Sequence, residues 1–345
     1  MKLFTATIVT VLTLTAVGVF VALSDTNEPT YEKRLQKIAN EINSHDYGWK
    51  AKVSPRFKGM TKAEIKGMMG TLESESTLDL PHATEVQDLN LKDLPRSFSS
   101  EAKWPQCQSI KDIRDQANCG SCWAFGAASA ISDRLCITGN TQETNNLQTR
   151  ISAADLLACC TTCGFGCKGG YTYRAWEHFV NHGVVTGWNY GDKNFCYPYQ
   201  FHPCTREYPQ CQRDVATPAC RRTCIPGYPK SYRNDKHYGS SVYQVIGEEV
   251  MMAELVKNGP FEVSYSVYED FMDYESGVYH HEEGEYLGGH AVKLVGYGVD
   301  ENGVKYWRLA NSWTENWGID GYFLFRRGKN DCGIESRAVA GLIRK

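Results

Sequence analysis

The sequence predicts an α+β chain, with a buried helix in its first half and a strand-rich C-terminal half, on three observations. Residues 121–136 carry Ala, Trp, Phe, Ile and Leu with no proline, behind a serine able to cap a helix. Three later runs, Ala291–Tyr297, Val304–Leu309 and Tyr322–Phe325, are β-prone and punctuated by Gly and Asn. All 14 cysteines lie between Cys107 and Cys332, which sets a disulfide-bearing body apart from a cysteine-free N-terminus.

From the N-terminus, Lys2 precedes an uncharged run of 21 residues, Leu3–Leu23, with small residues at Ala22 and Ser24 before the first acid, Asp25. Residues 1–24 read as a cleaved signal peptide; an uncleaved anchor of the same length is the alternative. Either delivers the body to an oxidising lumen. Residues 25–93 are polar and Lys-rich, with apolar residues at helical spacing at Tyr31, Leu35, Ile38 and Ile42, and read as a propiece, against an ordinary N-terminal subdomain. The body then spans 94–345, with its helix beginning at Cys122. Residues 196–224 are rich in Cys, Pro and Tyr without periodicity and read as a long loop held by bridges. The 345 residues suffice for a packed core, and 37 basic against 40 acidic side chains, net −3, leave no basic face for nucleic acid and no polybasic membrane patch.

The chemistry concentrates at Gln116-Ala117-Asn118-Cys119-Gly120-Ser121-Cys122-Trp123. A thiol in the first turn of a helix meets unpaired backbone N–H groups that favour thiolate, and a nearby imidazolium favours it further, so Cys122 is the expected nucleophile. Among nine histidines only His290, in Gly288-Gly289-His290-Ala291-Val292, opens a β-prone run behind a glycine pair, and it is the expected base. Asn311, before Ser312-Trp313, supplies an amide carbonyl to orient the imidazole, with Trp313 shielding that bond from water. His290 and Asn311 lie 168 and 189 residues beyond Cys122; without the 29 residues of the Cys-rich loop the separations become 139 and 160.

These motifs, together with Arg114-Asp115-Gln116, Cys167-Lys168-Gly169-Gly170-Tyr171, Cys196-Tyr197-Pro198-Tyr199 and Asp235-Lys236-His237-Tyr238-Gly239, resemble the cathepsin B family of papain-like cysteine proteases over about Leu94–Arg344. The stretch from Tyr47-Gly48-Trp49 to Gly70-Thr71 resembles that family's short propeptide. The resemblance implies a two-lobed papain-like fold: a helical left lobe led by Cys122, a strand-rich, barrel-like right lobe carrying His290 and Asn311, and the cleft between them. It implies that Gln116 donates to the oxyanion with the Cys122 N–H. Gly169, Gly170 and Tyr171 would line the acyl side of the cleft, Trp313 the leaving-group side, and Gly289, Ala291 and Arg337 would complete the substrate contacts. Implied pairings are Cys107–Cys136, Cys119–Cys167, Cys159–Cys220, Cys160–Cys163, Cys196–Cys224 and Cys204–Cys211, with Cys332 left over. Implied partners are protein and peptide substrates, the chain's own propeptide and cystatin-type inhibitors, acting on a monomer without metal or cofactor in a lysosomal or extracellular setting. Two metal readings compete: a zinc cluster of Cys159, Cys160, Cys163 and Cys167, which secretion disfavours, and the pair His280-His281, which reads as solvated. No Asn-x-Ser/Thr sequon supports sorting through an N-linked glycan.

The sequence departs from the family twice. Typical relatives carry a His pair in the Cys-rich loop that binds a substrate's C-terminal carboxylate; here Cys204 is followed by Thr205-Arg206-Glu207, and His202 lies before the cysteine. Arg206 is then the cation available to a carboxylate or to Asp115. The favoured activity is therefore internal cleavage by an endopeptidase, with peptidyl-dipeptidase activity the runner-up and an inactive binding homologue the third reading, which the retained Cys122, His290, Asn311 and Gln116 oppose. Second, Arg337 in Glu335-Ser336-Arg337 stands where relatives often place an acid at the floor of the pocket for P2, the residue one before the acylated one. Arginine at P2 is expected to be poorly accepted.

Overall fold

The computed structural model describes residues 31–72, 79–139, 148–204 and 215–344. The signal-peptide segment, Arg206, Glu207 and Cys211 lie outside these residues, and so does the Cys204–Cys211 pairing.

The N-terminal segment builds more structure than its apolar spacing foretold. Helix α1 (Tyr31–Ser44) buries Leu35, Ala39 and Ile42 against the 3-10 turn Glu269–Asp273. Strand β1 (Trp49–Ala51) follows. Helix α2 (Lys62–Met68) opens on a capping box, the Glu64 N–H donating to Thr61 Oγ1 at 3.2 Å and the Thr61 N–H to Glu64 Oε2 at 2.7 Å. Short helices α3 (Ala83–Val86) and α4 (Ser100–Lys103) flank strand β2 (Phe98–Ser99).

Helix α5 (Cys122–Ile137) begins where the sequence places it, and nearly every side chain in it is buried. A helix apolar on all sides needs a neighbour on each. On one side it packs with α6 (Ala153–Cys159) and α7 (Thr172–Asn181) around Phe125, Ile131, Leu156, Trp176 and Phe179. On the other it meets the sheet.

That sheet comprises β3 (Tyr243–Gln244), β4 (Phe261–Tyr268), β5 (Tyr274–Tyr279), β6 (Tyr286–Val299), β7 (Lys305–Ala310), β8 (Tyr322–Arg326) and β9 (Ala338–Ala340), with α8 (Glu248–Asn258) between β3 and β4. The order is β1-β5-β8-β7-β6-β4-β9-β3, with β2 paired to β6. All pairings are antiparallel except β5 with β8. The three β-prone runs fall within β6, β7 and β8. Their inward faces form a second core with Tyr265, Phe271, Trp307, Trp313 and Phe323, which Leu35, Ile42, Trp49, Ile65 and Met68 of the N-terminal segment join.

Between the two cores α5 is fastened by buried charge. Arg134 contacts Glu254 at 2.7 Å and donates to the carbonyls of Gly259, Pro260 and Gly341. Asp133 lies 2.9 Å from the Nζ of Lys293 on β6. The loops are stapled by Cys107–Cys136, Cys119–Cys167, Cys159–Cys220, Cys160–Cys163 and Cys196–Cys224. These bridges replace the zinc-cluster alternative, because all four of its cysteines are in disulfides. Described residues 196–204 and 215–224 hold no helix or strand, as expected of a bridged loop.

Glu254→Ala leaves the Arg134 guanidinium buried without a counter-charge. It should destabilise the chain by about 3–5 kcal/mol in urea unfolding of an inactive Cys122→Ala background, whereas a loss under 1 kcal/mol would show the pair to be dispensable.

Candidate functional site

Cys122 is the first residue of α5, at the line where the helical core meets the sheet, and is fully buried. The predicted capping by Ser121 does not occur: its Oγ lies 3.0 Å from the Tyr199 hydroxyl instead, so no side-chain oxygen competes for the first-turn N–H groups. His290 sits on β6 opposite Tyr265 of β4. Its Nε2 is 2.8 Å from Asn311 Oδ1, which also accepts the Ser312 N–H at 2.8 Å. Because Oδ1 only accepts, the imidazole proton belongs on Nε2 and the lone pair on Nδ1. Nδ1 makes no hydrogen bond among the described residues. Trp313 stacks on the ring at 4.7 Å and 29° and is itself fully buried, so it dries the His290–Asn311 bond as expected.

Gln116 is held from three sides: its N–H donates to Ser312 O at 3.0 Å, its Oε1 accepts from Ser312 Oγ at 2.8 Å, and its carbonyl accepts from Tyr199 OH at 2.8 Å. The amide nitrogen therefore has a fixed direction. It donates to Cys119 O at 2.8 Å and to Met68 O at 2.9 Å, so an N-terminal-segment carbonyl occupies the donor assigned to an oxyanion.

The segment then runs through the cleft. Thr71 N–H donates to Gly289 O, and Leu72 N–H to Gly170 O, both at 3.0 Å; Gly170 N–H donates to Gly70 O at 2.9 Å. The Gly70 N–H lies 3.3 Å and the Thr71 hydroxyl 3.5 Å from Cys122 Sγ. The sulfur thus meets two polar groups of the segment, beside the Ala291 N–H of the body. Only glycine fits at position 70, since a Cβ there would stand 1.9 Å from Gly120 O. Phe57 covers Trp313 edge-on at 5.4 Å. None of these segment contacts was legible in the sequence beyond the resemblance of its Gly70-Thr71 end.

This cover changes the electrostatics. Burial pushes the Cys122 thiol up, against hydrogen bonds from Thr71 and from the Ala291 and Gly70 N–H groups. Burial also lowers His290 to about 4, against the Asn311 bond. The thiolate–imidazolium pair expected from sequence is thus not the favoured state of the covered site, because both charges would be desolvated.

Of the remaining predicted residues, Gly169 lies against Leu72, and Tyr171 precedes α7, half-buried. Arg337 donates to Ser266 Oγ at 3.1 Å, and Ser266 pairs with Gly289, which brings the guanidinium beside the cleft. Cys332 is unpaired, and burial raises its thiol to about 12. His280 and His281 are not simply solvated: His280 meets Glu282 at 2.8 Å, and His281 meets Asp270 at 3.1 Å while stacking on Tyr268. His202 stacks on Tyr190. No group of three metal-ligating side chains and no helix able to cross a membrane occurs among the described residues.

The family model for papain family cysteine proteases matches residues 94–342. The chain belongs to that family. Among curated proteins it is 44% identical over 317 residues to cathepsin B-like cysteine proteinase 6 of Caenorhabditis elegans, covering 88% of this chain and 82% of that one. It is 42% identical over 325 residues to a cathepsin B-like cysteine proteinase of Schistosoma japonicum, covering 90% and 93%. Among solved structures, the procathepsin B S9 of Trypanosoma congolense superposes with a TM-score of 0.73 at 38% identity, covering 91% of this chain and 98% of that one. A digestive procathepsin L 3 of Tenebrio molitor shares the fold, with a TM-score of 0.65 at 21% identity over 90% of each chain. The enzyme is a cathepsin B-like cysteine protease of two-lobed α+β fold.

Asn311→Ala frees the imidazole to rotate or to take the wrong tautomer. It should lower kcat about 100-fold while KM changes little, measured on an activated preparation with a fluorogenic peptide; an unchanged kcat would remove Asn311 from the site.

Proposed function

We propose that the chain is a secreted zymogen whose residues 25–93 cover the cleft as a propeptide, and that the released body, 94–345, is an endopeptidase. The observation that carries the reading is the passage of residues 68–72 over Cys122, where they engage Gln116, Gly170 and Gly289 together. The family match beginning at residue 94 agrees with a boundary there, and the uncharged N-terminal run supports entry to the secretory pathway, ending in lysosome or extracellular fluid.

Removing the cover rehydrates the site, so the first turn of α5 and a protonated His290 favour thiolate at Cys122. The sulfur attacks the scissile carbonyl. Gln116 Nε2–H and the Cys122 N–H hold the resulting oxyanion, a water-excluded arrangement worth about 2.7–4 kcal/mol for each donor in comparable sites. His290 Nδ1 delivers the proton to the leaving amine, and then deprotonates the water that hydrolyses the thioester. Asn311 keeps Nδ1 aimed throughout. Substrate backbone bonds take over the Gly170 and Gly289 contacts, Trp313 lines the leaving-group side, and Arg337 disfavours a basic P2 residue. His202 lies before Cys204 and packs on the Tyr190 ring, away from the position of the family's loop His pair, which supports internal cleavage.

An internally quenched peptide with free and amidated C-termini tests this. Equal cleavage of both forms, absent in Cys122→Ala, is expected, and a strong requirement for the free carboxylate would establish the exopeptidase instead.

Release should depend on pH through the segment's charged dock. Glu269, fully buried, is raised by burial, but Arg34, the Glu285 N–H, Lys62 and Tyr31 outweigh that and hold it at about 2 against an ordinary 4.5. Its contribution to docking is complete above 4.5 and is lost as pH falls toward 2. Asp273, which accepts the Ser54 N–H at 3.0 Å, works oppositely: burial raises it to about 6 from 3.8, so its contribution is complete below 3.8 and is lost as pH rises through 6. Activity should therefore emerge from the intact chain only below about pH 4.5, and Glu269→Gln should move that onset toward neutrality. An onset near pH 6 unaffected by Glu269→Gln would exclude this dock as the release point.

A further inference from the structure

We propose that Asp115, once the N-terminal segment has left, forms an anionic slot on the Trp313 side of the cleft that selects an arginine or lysine side chain within the first residues after the scissile bond. The inference rests on the reading of residues 25–93 as a removable cover.

The slot is seen with a guanidinium in it. Arg56 Nη2 lies 3.1 Å from Asp115 Oδ1 and donates to Ala117 O at 2.9 Å, with side-chain exposures of 3% for Arg56 and 8% for Asp115. The carboxylate cannot swing to another partner. Its Oδ1 accepts the Ala117 N–H at 2.8 Å and its Oδ2 the Cys204 N–H at 2.5 Å, and both donors belong to the body. Ala117 holds a left-handed φ of 54°, disfavoured for a residue with a Cβ, and its carbonyl is the slot's second acceptor. Two acceptors are thus fixed around a place sized for one cationic nitrogen.

Among the described residues no other cation bonds Asp115, although Arg114 lines the cavity beside it. Arg114 is adjacent in sequence, but its guanidinium lies 4.8 Å from the centre of the Phe125 ring and 5.0 Å from that of Trp188, and donates to Ile151 O. Glu315 lines the neighbouring cavity of about 260 Å³ with Asp115, Tyr190, Phe201 and Thr314, which adds negative charge to that side of the cleft. Loss of Arg56 therefore leaves a shielded carboxylate with two N–H donors and no ion-pair partner among the described residues, an arrangement that recruits a cation.

Position makes that cation a substrate side chain. Asp115 directly precedes Gln116, whose amide faces the oxyanion, and forms a β-bridge with Trp313. Phe57, the neighbour of Arg56, already lies on Trp313, whereas Gly170, on the acyl side, is bonded by residues 70–72. Both contacts come from one nitrogen, Nη2 of Arg56, so the slot takes either arginine or lysine.

The test compares arginine with citrulline, its neutral isostere, at each of the three positions after the cleaved bond. The internally quenched peptides are made with free and with amidated C-termini, so the comparison is read whether the enzyme cleaves internally or from the end. The full chain is acid-activated, and its intact mass shows that residues 25–93 are gone. At one of these positions kcat/KM should favour arginine about tenfold, and Asp115→Asn should bring that ratio to near one. A ratio near one at all three positions in the wild type, as would follow if Arg206 of the Cys-rich loop fills the slot, overturns the proposal. So does a preference that survives Asp115→Asn.

Discussion

The structure depends on one helix having to bury all of its sides. Helix α5 cannot face solvent anywhere, so the chain brings helices to one flank and the sheet to the other, and the N-terminal tip of α5 falls on the seam between two cores. At that seam Cys122 from the helical side meets the Ala291 N–H of β6, next to His290 and its partner Asn311. Arg134 and Asp133, spending their charges on Glu254 and Lys293, hold the sheet lobe against the helix by interactions that are costly to break. Catalytic geometry and fold stability are therefore set by the same element.

The N-terminal segment uses that seam twice. Its apolar residues join the sheet's core and its strand extends the sheet's edge, while residues 68–72 cross the cleft and engage Cys122, Gln116, Gly170 and Gly289. The dry cover that blocks access also reverses the charge preference of the nucleophile and base, since neither charge is tolerated away from water. On the proposed reading, inhibition and electrostatic silencing are one physical event. Charged contacts tie the segment to the body at its far end, around Glu269, and again where the buried Arg56 meets Asp115.

The sequence revealed what depends on local pattern. The proline-free apolar run gave α5 to the residue, and the β-prone runs gave the cores of β6, β7 and β8. The apolar spacing from Tyr31 to Ile42 marked α1, but β1 and α2 went unread. Three residues of strand and seven of helix carry too little periodicity to stand out. Ser121 shows the converse: a residue ideal for capping gives its hydroxyl to Tyr199, 78 positions away, a partner no local rule supplies. His280 and His281 likewise looked solvated beside each other, yet His280 meets Glu282 two residues on and His281 meets Asp270 of the preceding 3-10 turn.

The sequence by itself determined the chemistry of this protein: a thiol at a helix start, an imidazole behind two glycines, an amide before Ser-Trp, and a cysteine set suited to an oxidising lumen. Those are properties of side chains and of short-range backbone geometry. Only the tertiary structure decided their working state, namely that Nε2 of His290 carries the proton, that the thiol and imidazole are neutral under the cover, and that Arg56 sits on Asp115. Protonation and pairing depend on burial and on distances between residues far apart in the chain, and both exist only once the two lobes and the segment between them have packed.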